Sequence, residues 1–208
     1  MPQDQVGYWL SQVGLAMFHL GSLSEAHARI IVALKHMGFS ARTDVTTSSY
    51  WLSRSFKYCL PRRRRQHEPK LLKTALECHQ CLCVIELLRA RLLEGVVNLE
   101  MAKDIYQDLR EEQNDCAMCQ LHSLSALCWQ LQGERERSLE AHELARRCAQ
   151  DRETVHHALT NITDSVWYLN QGDWSNAISA AHAALSALES HEQVFTKCIS
   201  SLIVIWSK

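Results

Sequence analysis

The chain is 208 residues long and carries 22 lysines and arginines against 23 aspartates and glutamates, a formal net charge of −1. A balance this close to zero excludes a global field that would draw nucleic acid or an anionic membrane. Hydrophobic content of 47% with 22% charged residues is that of a soluble globular chain able to bury a core.

Prolines occur only at Pro2, Pro61 and Pro69, so the segment from Lys70 to Lys208 can run in uninterrupted helices. Strict alternation of apolar and polar residues is absent, and the expected class is all-α. Met1–Gly7 is polar and lacks a basic n-region, and the apolar run Ile199–Trp206 is too short to span a bilayer. Without a secretory signal the nine cysteines read as reduced, small apolar residues of a cytoplasmic protein.

Taken in order, Tyr8, Leu10, Val13, Ala16, Met17 and Leu20 predict a helix from Gly7 to Leu20, stopped by Gly21. A second helix, Ser24 to His36, carries Ala26, Ile30, Ala33 and Leu34 and completes a hairpin over residues 1–39. Residues 40–70 break the pattern. A short helix around Tyr50, Trp51 and Phe56 ends at Pro61, and a basic linker, Arg62-Arg-Arg-Arg65, follows. With no second basic cluster and no interleaved aromatics, the linker reads as solvated rather than as a nucleic-acid surface.

A long helix from Leu71 to Leu93, with Leu72, Leu76, Leu82, Ile85, Leu88 and Leu92 inward, is expected to turn at Gly95 and Asn98 onto Met101–Glu112 (hairpin 71–113). The next hairpin, 114–151, sets Leu121, Leu124, Leu127 and Leu131 against Leu139, His142 and Ala145. The last, 152–190, turns at Gly172-Asp173-Trp174, with Trp174 read as a packing residue. A final helix over 191–208, bearing Leu202, Ile205 and Trp206, has no partner and is a candidate for self-association.

Aligning the small residues that open each second helix pairs Ala26, Ala102, Ser138 and Ala177, at intervals of 76, 36 and 39 residues. A period near 38, each unit a helical hairpin, is the signature of an α-solenoid. The residues resemble tetratricopeptide repeats. The first unit reads Leu10, Val13-Gly14, Met17-Phe18, then Ala26, Ile30 and Ala33. The third reads His122, Ser125-Ala126 and Trp129, then Ser138, His142 and Ala145. The fourth reads Asn161, Asp164-Ser165 and Tyr168, then Ala177, Ala181 and Ala184. The second, Glu86, Arg89-Ala90 and Leu93 before Ala102 and Tyr106, departs furthest from the pattern. The resemblance implies a right-handed solenoid of tetratricopeptide-like hairpins that contacts proteins through its first helices. Some members clamp a terminal carboxylate there, but the comparable positions, Ser11, Leu15, Thr163 and Val166, cannot supply that clamp.

A narrower likeness, Ala33-Leu-Lys-His-Met-Gly38 followed by Leu60-Pro-Arg-Arg63 and longer hairpins, is similar to the C-terminal arrays of large AAA-type signalling ATPases, several of which carry cyclase or kinase domains. It implies a regulatory region of such a multidomain protein, although no phosphate-binding loop is present.

The residues with metal-ligand chemistry are Cys78, Cys81, Cys116, Cys119 and His122. Thiolates and imidazole suit zinc, yet zinc knuckles sit on turns and these lie inside helical runs, so the expectation is a cysteine-lined helix seam. A metal or redox sensor is the alternative. No catalytic motif is present, His156-His157 included. The expected function is a non-enzymatic scaffold for protein–protein or interdomain contacts, with no cofactor, nucleic acid or membrane partner.

Overall fold

Apolar spacing near 3.6 residues with no internal proline leaves little alternative to helix. A computed structural model of the chain is all-α over the residues it describes, 2–41, 67–109, 115–149 and 154–188. Eight helices occur among them: α1 (Gln3–His19), α2 (Leu23–His36), α3 (Pro69–Leu88), α4 (Leu92–Asp108), α5 (Asp115–Leu131), α6 (Arg135–Ala149), α7 (Thr154–Asn170) and α8 (Trp174–Ala187). No described residue is in a strand, and no described helix is long and apolar enough to cross a membrane. The segment around Trp51, Arg62–Arg65 and the terminal helix expected over 191–208 lie outside the described residues. So do the side chains of Cys116, His156 and His157.

The helices pair in sequence. α3 packs on α4, α5 on α6 and α7 on α8. α1 lies so close to α2 that a Cβ on Gly14 would come within 2.8 Å of Ile30 Cγ1, and one on Gly7 within 2.9 Å of the Ala33 carbonyl. The chain divides into two compact units, Met1–Met17 with Leu23–Gln113 and Phe18–Ser22 with Asn114–Lys208. In the first, α2 also packs against α3; in the second, α7 packs against both α5 and α6.

All four hairpins share one register. Each first helix is followed by a residue in the left-handed conformation: Gly21, Ala90, Gly133 and Gly172, with φ of 83°, 58°, 79° and 74°. In the last three, the next residue's N–H reaches back to close the helix, from Arg91 to the Glu86 carbonyl (2.8 Å), from Glu134 to Trp129 (2.9 Å) and from Asp173 to Tyr168 (3.0 Å). Seven residues before each left-handed residue stands Gly14, Cys83, Ala126 or Ser165. Five residues after it, at the fourth position of the second helix, stands Ala26, Gly95, Ser138 or Ala177. Seven further on comes Ala33, Ala102, Ala145 or Ala184. All twelve are buried.

Small side chains in these rows let the paired backbones approach. Ser138 Oγ donates to the Ala126 carbonyl at 2.9 Å. A Cβ on Gly95 would meet Leu87 Cδ2 at 2.9 Å and the Cys83 carbonyl at 3.4 Å.

The second hairpin differs from expectation. Its turn lies at Arg89–Arg91, while Gly95 and Asn98 are buried inside α4. Ala102 therefore belongs to the row of Ala33, Ala145 and Ala184, and Gly95 takes the opening place beside Ala26, Ser138 and Ala177. The first-helix positions become His79, Leu82-Cys83 and Glu86. The displacement is seven residues, two helical turns, which keeps the same face inward. Other corrections concern Leu88, Leu131, Leu139 and Trp174, which are 50%, 48%, 37% and 53% exposed rather than packed. Leu88, Leu131 and Trp174 occupy terminal helix positions, and Leu139 sits one residue, about 100° of helix, past the buried Ser138.

Candidate functional site

The chemistry of the described residues concentrates where one hairpin meets the next. α3 presents an apolar face through Leu82 and Ile85, yet Glu86 on it is fully buried. Its Oε1 lies 2.5 Å from His27 Nε2 of α2, and its Oε2 lies 3.7 Å from Arg91 Nη1 just beyond α3. The second unit repeats the arrangement. Asp164 of α7 is 7% exposed, with Oδ1 beside His142 Nε2, and Arg146 Nη2 donates to its Oδ2 at 2.8 Å. His142 and Arg146 are four apart on α6 and so share the face that meets α7. Burial works against the Arg146 guanidinium, but the hydrogen bond and charge of Asp164, then those of Tyr168, more than offset it and raise its pKa.

Each cluster is a carboxylate held between an imidazole and a guanidinium, and each joins a second helix to the following first helix. A buried carboxylate without such partners costs several kcal/mol, so the pairs fix how successive hairpins dock. A third polar contact works within a hairpin: His79 Nδ1–H donates to Asn98 Oδ1 at 3.0 Å, and Asn98 Nδ2 donates to the Glu94 carbonyl at 2.9 Å.

The cysteines occupy seams. Cys78 lies in mid-α3, fully buried, with Cys81 one turn on and half-buried. Burial first, then Cys81 and Glu77, push the Cys78 thiol well up, and burial with Glu77 pushes that of Cys81 up to about 12. Both are held as neutral thiols, whereas nucleophilic attack requires the thiolate.

Cys119, in α5, is fully buried; its Sγ donates to the Ala145 carbonyl (3.6 Å) and lies 3.7 Å from Thr160 Oγ1, tying together α5, α6 and α7. His122 is half-buried one turn further along α5. Cys78 and Cys81 belong to the first unit, Cys119 and His122 to the second. Among the described residues no three His, Cys, Asp or Glu side chains are grouped to hold a metal ion.

A shallow cleft of about 270 Å³ opens between the starts of α1 and α3 and includes Asp4, Tyr8, Trp9, Glu68 and Lys70 in its lining. Lys70 Nζ sits 4.1 Å above the Tyr8 ring. No serine, cysteine or histidine lines it.

Of the groove positions read from sequence, Leu15 and Val166 are half-buried, but Ser11 and Thr163 are buried, and the Ser11 hydroxyl donates to the Tyr8 carbonyl at 2.6 Å. Trp129 and Tyr168 are half-buried at equivalent places, with the Arg137 guanidinium 5.0 Å from the Trp129 ring. The ion clusters themselves escape sequence reasoning. A signal existed, in that Glu86 and Asp164 each interrupt an apolar helix face, but their partners are distant in sequence. No protein-family model matches this sequence, and no curated protein and no solved structure matches it.

Proposed function

We propose that the chain is a non-enzymatic helical-repeat scaffold, a right-handed α-solenoid of tetratricopeptide-like hairpins that holds a protein partner or another domain. The observation that carries this reading is the common register. Small residues recur at Gly14, Cys83, Ala126 and Ser165, again at Ala26, Gly95, Ser138 and Ala177, and again at Ala33, Ala102, Ala145 and Ala184. These are the places where the tetratricopeptide pattern puts small residues. The second hairpin also fits that pattern better from Leu82-Cys83 than from Arg89-Ala90.

The two histidine–carboxylate clusters support the reading, because in a repeat array stability comes from contacts between neighbouring units. First-helix faces left half-buried, at Leu15, Leu127 and Val166, then supply the surface for a partner.

The test is photo-crosslinking in cells from a reactive residue placed at Leu15, Leu127 or Val166. The control position is Arg147, whose side chain is 71% exposed on α6. A discrete adduct of one defined protein from at least one of the three positions is expected. Adducts no different from those at Arg147 would overturn the scaffold reading.

A further inference from the structure

The shared register puts the docking contacts of each second helix at fixed places. His142 and Arg146 of α6 stand nine and thirteen residues past the left-handed Gly133, and they hold Asp164 of the following first helix. In α2 the same two places, counted from Gly21, are Ile30 and Leu34, fully buried in a helix that packs against α3. In α8, counted from Gly172, they are Ala181 and Leu185. Ala181 is buried and Leu185 half-buried. With no imidazole or guanidinium at either place, α8 cannot receive a carboxylate as α6 does. Its docking places are apolar.

The sequence after α8 changes in step. Gly133 and Gly172 lie 39 residues apart, and the same interval carries Asp164 onto Ile203. From Gln193 to Trp206 there is no aspartate or glutamate, and the only charged residue is Lys197. Where the second helix lacks the cationic partners, the segment that follows lacks the carboxylate.

We infer that residues 191–208 dock on α8 of the same chain, with Ile203 against Ala181 and Leu185 in the place that Asp164 takes against His142 and Arg146. Three observations select this occupant. The exchange of ionic for apolar residues occurs on both sides of one junction, at positions fixed by the register. Leu188, the last described residue, is only three residues before His191, and so short a tether gives an effective concentration of about millimolar. The compact second unit extends to Lys208. A repeat array also needs a cover on its last unit, and this segment supplies one. Its apolar residues are then turned inward rather than left for self-association. The inference rests on the register and on no partner protein, so failure of the photo-crosslinking leaves it standing, and its own failure leaves the first-helix faces untouched.

The experiment introduces Leu185→Cys together with Ile203→Cys in the full chain, oxidises it at low micromolar concentration and maps the disulfides by mass spectrometry. The control pairs Ile203→Cys with Ala183→Cys, an exposed position about 200° of helix away from Leu185. A disulfide within one chain, formed faster than in the control, is expected. The second readout rebuilds the preceding junction's ion pair. Ile203→Asp alone should lower the melting temperature by about 4 °C or more, and adding Leu185→Arg should recover at least half of that loss. A disulfide that forms only between two chains, or no faster than in the control, overturns the inference. So does an Ile203→Asp chain that melts with the parent, or one that Leu185→Arg does not recover.

Discussion

Gly14→Ala sets two effects of known sign against each other. In mid-helix, alanine is favoured over glycine by about 1 kcal/mol, so an open helix face would be stabilised. At Gly14 the added methyl would lie 2.8 Å from Ile30 Cγ1 and 3.3 Å from both Arg29 Cβ and the Ile30 amide nitrogen. Ile30 is fully buried and its Cγ1 is close to the backbone, so it cannot swing aside. Overpacking of this kind costs about 1–3 kcal/mol, and the net expectation is a loss of roughly 1 kcal/mol in urea unfolding. Thermal unfolding should fall by about 2–4 °C for a chain of this size. Ile30→Ala removes the obstacle, so the double variant should be less destabilised than the sum of the singles by about 0.5–3 kcal/mol. If Gly14→Ala stabilises the protein by the full propensity gain, α1 and α2 do not cross there and the close-packed row is wrong.

The remaining predictions follow from single sites. Glu86→Ala should destabilise by about 3 kcal/mol in urea unfolding, because His27 loses its partner inside the α2–α3 junction, and a near-neutral result would mean the cluster does not hold that junction. Ala90→Gly should stabilise by about 1 kcal/mol, since alanine at φ 58° is strained, and a fall in thermal stability would count against the turn at Arg89–Arg91. Cys81, with its thiol pushed up to about 12 against an ordinary 9.0, should alkylate at pH 8 about a thousandfold more slowly than an ordinary thiol, gaining rate only as pH rises towards that value. Brisk labelling of Cys81 in the folded chain, mapped by mass spectrometry, would contradict the upward push on its thiol.

The all-α class was legible because proline is missing from long stretches and apolar residues recur at helical spacing. Three turns were legible because a glycine occupies each left-handed position, Gly21, Gly133 and Gly172. The second hairpin was misread for the same reason. Ala90 takes the left-handed conformation without glycine's advertisement, whereas Gly95 serves close packing inside a helix. Periodicity cannot correct a slip of two whole turns. Trp174 and Leu131 misled differently: they continue an apolar pattern to positions where the helix ends, and only the packed neighbours show that nothing described covers them. Pairing of His27 with Glu86, and of His142 with Asp164, depends on which hairpins stack, and one chain's pattern does not carry that.

The shared register is tested most directly by backbone chemical shifts and amide exchange over residues 86–102. A helix break at Arg89–Arg91, a left-handed Ala90, and protected amides at Gly95 and Asn98 are the predicted result. Continuous protection from Glu86 through Leu93 with a break at Gly95–Asn98 would contradict it, and would leave the four hairpins without a common frame.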